Sequence, residues 1–252
     1  MAHPTDRRYR YYDIVMAAFV TVLLCSNLIG PAKTSAIDLG LPIFPSLHPE
    51  RGALFGSILV FGAGNIFFPF SYVFGDILTE VYGYAKARRV IWVGLAAMVF
   101  AWIMSEVIVR LPIDPDEPYN KEYQPALEMM FGNTWRIVLA SNLSFWAGDF
   151  VNSFVLAKMK VWQDGRHLWM RTIGSTIAGQ AVDSLVFFPI AFYGLWDTST
   201  LLGVSAFNWF FKVAVEALMT PFTYWACGFL KRRENEDYYD KNTNFTPFSL
   251  KD

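Results

Sequence analysis

Six windows of this chain, at about 12 to 30, 64 to 82, 90 to 110, 134 to 158, 172 to 196 and 204 to 230, are apolar over lengths suited to crossing a lipid bilayer. The hydrocarbon core is roughly 30 Å thick and takes about 17 to 25 helical residues. Backbone in lipid must satisfy its own hydrogen bonds, so such windows form helices or strands of a closed barrel, and runs of this length favour helices. With 54% hydrophobic residues, the chain carries more apolar side chain than one soluble core of its size requires. The expected fold is an all-α integral membrane protein, a bundle of six transmembrane helices. The nine residues LFGSILVFG at 54 to 62 are also apolar. They are too short to span and read as an extended or re-entrant piece before the second helix.

The distribution of charge supports the count of six. Fifteen of the 21 Lys and Arg residues fall in four places: an N-terminal arm, the loop with Lys86, Arg88 and Arg89, the loop from Lys158 to Arg171, and the tail from Lys231. With six spans all four lie on one side, and the acidic, proline-rich loop 111 to 133 lies on the other. By the positive-inside rule both termini are then cytoplasmic. The organisation expected is a cytoplasmic arm at 1–11, a six-helix domain at 12–230 and a mobile cytoplasmic tail at 231–252. The first helix is read as uncleaved, because removing it would upset the alternation of charge.

Several function classes find no support. There is no Walker or Rossmann glycine pattern, so the chain does not hydrolyse ATP by itself. Two cysteines inside spans and three scattered histidines suggest neither a disulfide framework nor a metal site, and no cofactor is expected. No nucleophile and base arrangement points to an enzyme, and no feature points to nucleic acid.

The informative residues are polar ones inside the apolar windows. A charge near the bilayer centre costs about 2.5 to 3.5 kcal/mol on insertion scales, so such residues face protein or a wet cavity. Helical spacing places Tyr72, Asp76, Thr79 and Glu80 on one stripe of the second span. Asn142, Phe145, Asp149 and Asn152 share a stripe on the fourth, Thr172, Thr176, Gln180 and Asp183 on the fifth, and Asn208, Lys212, Glu216, Thr220 and Thr223 on the sixth. Turning all four stripes inward makes a shared polar site. The competing reading is structural: the acids pair with Lys212 or with helix-borne amides and hold the bundle together. Glu80 lies nearer the basic side, where Arg88 or Arg89 can neutralise it as a gate or an anchor. Most aromatics read as lipid-facing packing or interfacial belt. Tyr72, Phe145 and Trp209 sit on or beside the stripes, where a ring can stack on a flat ligand. Gly83 reads as a helix C-cap.

Three segments, FPFSYVFGDILTEVYGYAKARRVIW from Phe68, SNLSFWAGDFVNSFVLAKMK from Ser141 and LWMRTIGSTIAGQAVDSLVFF from Leu168, resemble in order the signature blocks of the queuosine precursor transporter family, also called the vitamin uptake transporter family. The resemblance implies a bacterial inner-membrane importer of 7-cyano-7-deazaguanine, its 7-aminomethyl relative or queuine, for tRNA modification. It also implies a fold similar to the substrate-binding subunits of energy-coupling-factor transporters. The family's motif positions fall on Asp76, Glu80, Arg88, Arg171, Ser175, Gln180 and Asp183. Many relatives have an aspartate where this chain has Asn152, which leaves the substrate open.

A deazaguanine presents an N–H and NH₂ pair beside a carbonyl. Asp183 or Asp149 can accept the pair, Gln180, Asn142 or Asn152 can read the carbonyl edge, and Phe145 or Trp209 suits the flat ring. The base is expected among the second, fourth, fifth and sixth spans, with Tyr72, Asp76, Ser175, Thr176 and Lys212 completing the site. Glu80, Arg88, Arg171 and Glu216 act there as gating or structural groups. The acids can also exchange protons during transport. The alternative is a vitamin or nucleobase binding subunit that depends on an ATP-driven partner, and a homo-oligomer stays open beside it.

Overall fold

The computed structural model describes residues 9–29, 34–38, 40, 44–45, 55–56, 58–132 and 135–249. Among them the chain forms seven α-helices: α1 Tyr12–Leu28, α2 Phe68–Tyr82, α3 Tyr84–Arg110, α4 Pro118–Phe131, α5 Trp135–Trp162, α6 Leu168–Phe192 and α7 Thr198–Glu234. Three of these, α3, α6 and α7, are long and apolar enough to cross a membrane, and α1 is apolar over 17 residues. The protein is therefore a helical membrane protein.

Between α1 and α2 the chain makes two small antiparallel ladders. β1 Thr34–Asp38 pairs with β4 Ile58–Gly62, and β2 Phe44–Pro45 pairs with β3 Phe55–Gly56. The apolar run at 54 to 62 is thus extended where described. A 3-10 turn, Ala63–Phe67, leads into α2, which starts with proline in its first turn. That position suits proline, whose missing N–H has no helical partner there.

The boundaries depart from the expected ones in two instructive places. The basic segment after α2 is helical: Lys86, Arg88 and Arg89 lie in the first turns of α3. Gly83 lets one helix follow another without a loop. Its N–H donates to Thr79 O at 3.1 Å, closing α2, and its φ of 87° is a conformation L side chains rarely adopt. The loop 111 to 133 contains α4, with Pro118 in its first turn and the Glu117 carboxylate accepting from Tyr119 N at 3.3 Å. There proline marks a helix start rather than a break. No residue of α4 is buried.

The core joins α1, α2, α3 and α7 through Phe19, Leu23, Val73, Ile77, Val90 and Cys227. The most intimate pairing is α5 with α6, which lie against each other at two glycines. A Cβ on Gly179 would stand 2.8 Å from Asn152 Cβ and 2.9 Å from Gly148 O, and one on Gly148 would stand 3.0 Å from Asp183 Cβ. Small residues allow this approach of backbones, and it brings Asp149 and Asp183 onto one wall.

The tail, expected to be mobile, is instead tied across one end of the bundle. Both Asp240 carboxylate oxygens accept from Tyr84 N at 3.1 Å, capping α3, which lacks a cap of its own. Arg88 donates to Asn244 O and Thr246 O at 2.7 and 2.9 Å, and Trp92 Nε1 to Pro247 O at 2.8 Å. The tail is polar because it supplies acceptors to helix ends, and polarity alone reads as mobility.

Candidate functional site

Three layers of polar residues run through the bundle along α2, α5, α6 and α7. The layer farthest from the basic end lines a cavity of about 270 Å³, far above the roughly 10–15 Å³ that one water occupies. Tyr72, Phe145, Asp149, Gln180, Asp183 and Lys212 meet there, as the stripes predict. Lys212 Nζ donates to Asp183 Oδ2 at 2.6 Å and lies 4.5 Å from the centre of the Phe68 ring. The pairing of Asp183 with Lys212, raised as the structural alternative, is therefore part of the cavity wall.

Other polar groups of this layer are unpaired among the described residues. The Tyr72 hydroxyl and Gln180 Oε1 are buried and find no partner. Asp149 approaches Asp183 and Lys212 without a hydrogen bond to either. The rings of Phe68 and Tyr72 are nearly parallel, 15° apart with centroids at 6.0 Å. Flat aromatic walls with a few unpaired donors and acceptors suit a planar polar ligand. Phe68, Ser144 and Phe187 also line the cavity and escaped the sequence reading. Phe68 carries the one usable signal, since it stands four residues before Tyr72.

One helical turn further along lies a second layer. Asp76, fully buried, accepts from Asn152 Nδ2 at 3.2 Å through Oδ1, and its Oδ2 has no donor. Glu216, also fully buried, reaches Asp76, and among the described residues neither of its oxygens is offered a donor. Ser175 and Thr176 are buried at this depth of α6, with Ser175 Oγ donating to Thr172 O at 2.9 Å. None of Asp76, Glu216, Ser175, Thr176 and Asn152 lines the cavity.

The third layer closes the basic end. Glu80 accepts from Arg171 twice, at 2.8 and 2.7 Å, and from Lys231 at 2.5 Å, with Lys160 at 3.5 Å. Lys160 and Lys231 also reach Asp237 of the tail at 2.5 and 2.8 Å. The expected partner Arg88 is engaged with the tail carbonyls instead. Arg171 lies 91 residues from Glu80, and spacing along α2 cannot reveal which distant helix faces it.

Two more expectations are corrected. Asn142 donates to Val138 O and borders a separate cavity of about 70 Å³ with Trp102 and Ser105. Trp209 turns away from the polar layer, its indole N–H donating to Ile177 O at 3.0 Å on the outer face of α6. No group of metal-ligating side chains occurs among the described residues.

Comparison with known proteins shows the family. The family described as "Putative vitamin uptake transporter" matches over residues 62–226. A "Probable queuosine precursor transporter" of Bacillus subtilis is 30% identical over 163 residues, 64% of this chain and 69% of its own length. The "Queuosine precursor transporter" of Escherichia coli is 29% identical over 132 residues, 52% of this chain and 54% of its own. A "Probable queuosine precursor transporter" of Haemophilus influenzae is 24% identical over 133 residues, 52% of this chain and 51% of its own, so the chain spans about half the length of these last two. No solved structure matches the chain. The family match runs from the end of β4 into α7 and takes in the cavity, the Asp76 and Glu216 layer and Glu80 with Lys160 and Arg171, so the chain belongs to the vitamin uptake transporter family, also called the queuosine precursor transporter family.

Proposed function

We propose that this chain imports queuosine precursors, 7-cyano-7-deazaguanine, 7-aminomethyl-7-deazaguanine or queuine, across a bacterial inner membrane. Six helices span: α1, α2, α3, α5, α6 and α7, with α4 outside the bilayer. Both termini are cytoplasmic, because the basic end of the bundle carries Lys160, Arg171 and Lys231 together with the tail. The observation that carries the reading is the cavity, in which one ion pair stands among unpaired polar groups and flat rings.

The base lies between Phe68, Tyr72 and Phe145. Asp149 accepts its N–H and NH₂ pair, and the Tyr72 hydroxyl or the Gln180 amide donates to its carbonyl. The cavity is built from the outer halves of the helices, while the Glu80 cluster and the tail close the inner end. This is the arrangement of a site loaded from outside, and release inward requires the Glu80 layer to part.

The test uses cells that cannot make queuosine and lack their own importer. Supplied with each precursor in turn, they are expected to regain modified tRNA when this chain is expressed. Failure with all three precursors would overturn the substrate class. Uptake by the purified protein in liposomes would remove the need for an ATP-driven partner.

A further inference from the structure

The middle layer contains two acids with too few donors. Asp76 and Glu216 are both 0% exposed, and three of their four carboxylate oxygens have no hydrogen-bond partner among the described residues. The fourth accepts only the neutral amide of Asn152. Both acids sit deep in the bundle, where a charge is costly, and two carboxylates side by side cannot both ionise without a cation between them.

The available cations are committed elsewhere. Lys212, one turn above Glu216 on α7, is held by Asp183 at 2.6 Å. Arg171, Lys160 and Lys231 surround Glu80, one turn below Asp76 on α2. The other titratable groups around the pair are acidic or neutral: Glu80, Asp149 and Cys227. Tyr72 supplies an independent sign. Its hydroxyl lies among Asp149, Asp183 and Glu216, is nine-tenths buried and has no partner. An unpaired donor within the influence of both the cavity acids and Glu216 links the two layers.

We propose that Asp76 and Glu216 form a proton-binding site one helical turn beneath the substrate cavity, and that its proton travels inward with the substrate. One carboxyl carries the proton as O–H and donates it to the carboxylate of the other, so that the pair bears one negative charge rather than two. Substrate in the cavity displaces the Tyr72 hydroxyl and changes how firmly the pair holds the proton. The coupling to substrate rests on the importer reading. The proton site itself does not.

Infrared spectroscopy of the substrate-free protein in lipid nanodiscs tests the pair. At neutral pH the wild type is expected to show a protonated-carboxyl C=O band that shifts in heavy water. Glu216→Gln should move this band, and the double variant Asp76→Asn with Glu216→Gln should lose it. Absence of the band from the wild type, its full persistence in the folded double variant, or its loss when sodium replaces choline would each overturn the proposal. Should the double variant fail to assemble, the wild-type spectra decide. In liposomes, one proton carried per substrate predicts about a tenfold change in accumulation per pH unit of imposed gradient. Accumulation indifferent to the gradient overturns the coupling. No movement of any 7-deazaguanine overturns the importer reading instead, and the infrared band still decides the pair.

Discussion

Buried acids meet buried bases at two depths of the bundle, and the two meetings differ in whether their polar atoms are all used. At the basic end one carboxylate, Glu80, accepts from Arg171 and Lys231, and Lys160 stands beside it. In the cavity Lys212 donates to Asp183, while among the described residues Gln180 Oε1 and the Tyr72 hydroxyl have no hydrogen-bond partner. Three cations gather on one acid at the basic end, whereas one lysine stands among two acids in the cavity. A closed network of this kind locks helices together, whereas unpaired polar groups in a walled cavity await a ligand. On the proposed function, Glu80 and Arg171 form the lock and Gln180 and Asp183 belong to the site, while the motif residues Asp76 and Ser175 lie between them and Arg88 holds the tail.

Breaking the lock carries the largest expected effect. Glu80→Gln leaves three cations gathered at the end of the bundle with Asp237 as their remaining acid. Removing one partner from a buried charge network costs about 3–5 kcal/mol. Thermal unfolding of the purified protein should show a large fall in midpoint, with substrate affinity in the surviving fraction changed much less. A variant as stable as wild type would mean that Glu80 is not the lock.

Asp183→Asn should invert that pattern. It frees Lys212 in the cavity, where the Phe68 ring and nearby Asp149 still receive it, so stability falls less than in Glu80→Gln. The freed Lys212 then competes for Asp149, the acceptor proposed for the base; a hydrogen bond to a charged group is worth about 1.5–3 kcal/mol, which predicts roughly 10- to 100-fold weaker binding of a 7-deazaguanine. Calorimetry with each precursor measures it. Unchanged affinity would remove Asp183 from the site.

The contrast also shows what the sequence made legible. Apolar windows foretold a helical membrane protein but not α4, and the 3-4 rhythm turned Tyr72, Phe145, Asp149, Gln180, Asp183 and Lys212 to one interior. Spacing along a helix specifies a face, however, and not a depth or a neighbour. Asp76 and Asn152 share faces with cavity residues but lie one turn below them. Glu80 was assigned a partner eight residues away and found one on α6. Gly148 and Gly179, which set the closeness of α5 and α6, are 31 residues apart and form no motif that spacing can detect. The tail hid its role for another reason: it acts largely through carbonyls and carboxylates that complete other elements.

The tail gives a smaller, pH-dependent effect. Burial alone would raise the Asp237 carboxyl, but hydrogen bonds from Lys160 and Lys231 outweigh it and hold the group below its ordinary range. A depressed folded value means that the stabilisation is present above the unfolded value, about pH 4, and is lost as pH falls through the lower folded one. Asp240, raised by burial although Tyr84 N donates to its carboxylate, titrates in the opposite sense, so wild type and Asp237→Asn must be compared at each pH. Asp237 is 43% exposed, and solvent screening limits its contribution to about 1 kcal/mol or less. Hydrogen exchange at the Tyr238 amide, which donates to Val81 O, should be faster in Asp237→Asn at neutral pH and converge with wild type in acid. Equal exchange rates at neutral pH would show that Asp237 does not hold the tail.

The smallest effect is expected at Trp209, where sequence and structure disagree most sharply. One residue separates it from Asn208, a cavity-lining residue, but one residue is about 100° around a helix. The ring consequently leaves the polar stripe and its N–H bonds to α6 from outside, next to Phe210, which is 64% exposed. Trp209→Phe keeps an aromatic surface toward lipid and loses one partly exposed hydrogen bond, worth about 0.5–1.5 kcal/mol at most. Stability should shift slightly and 7-deazaguanine affinity not at all. Phe145→Leu is the matched control on the cavity wall: it removes a flat ring and should weaken binding. A Trp209→Phe variant that binds as poorly as Phe145→Leu would return the indole to the site and require α7 to rotate relative to α6.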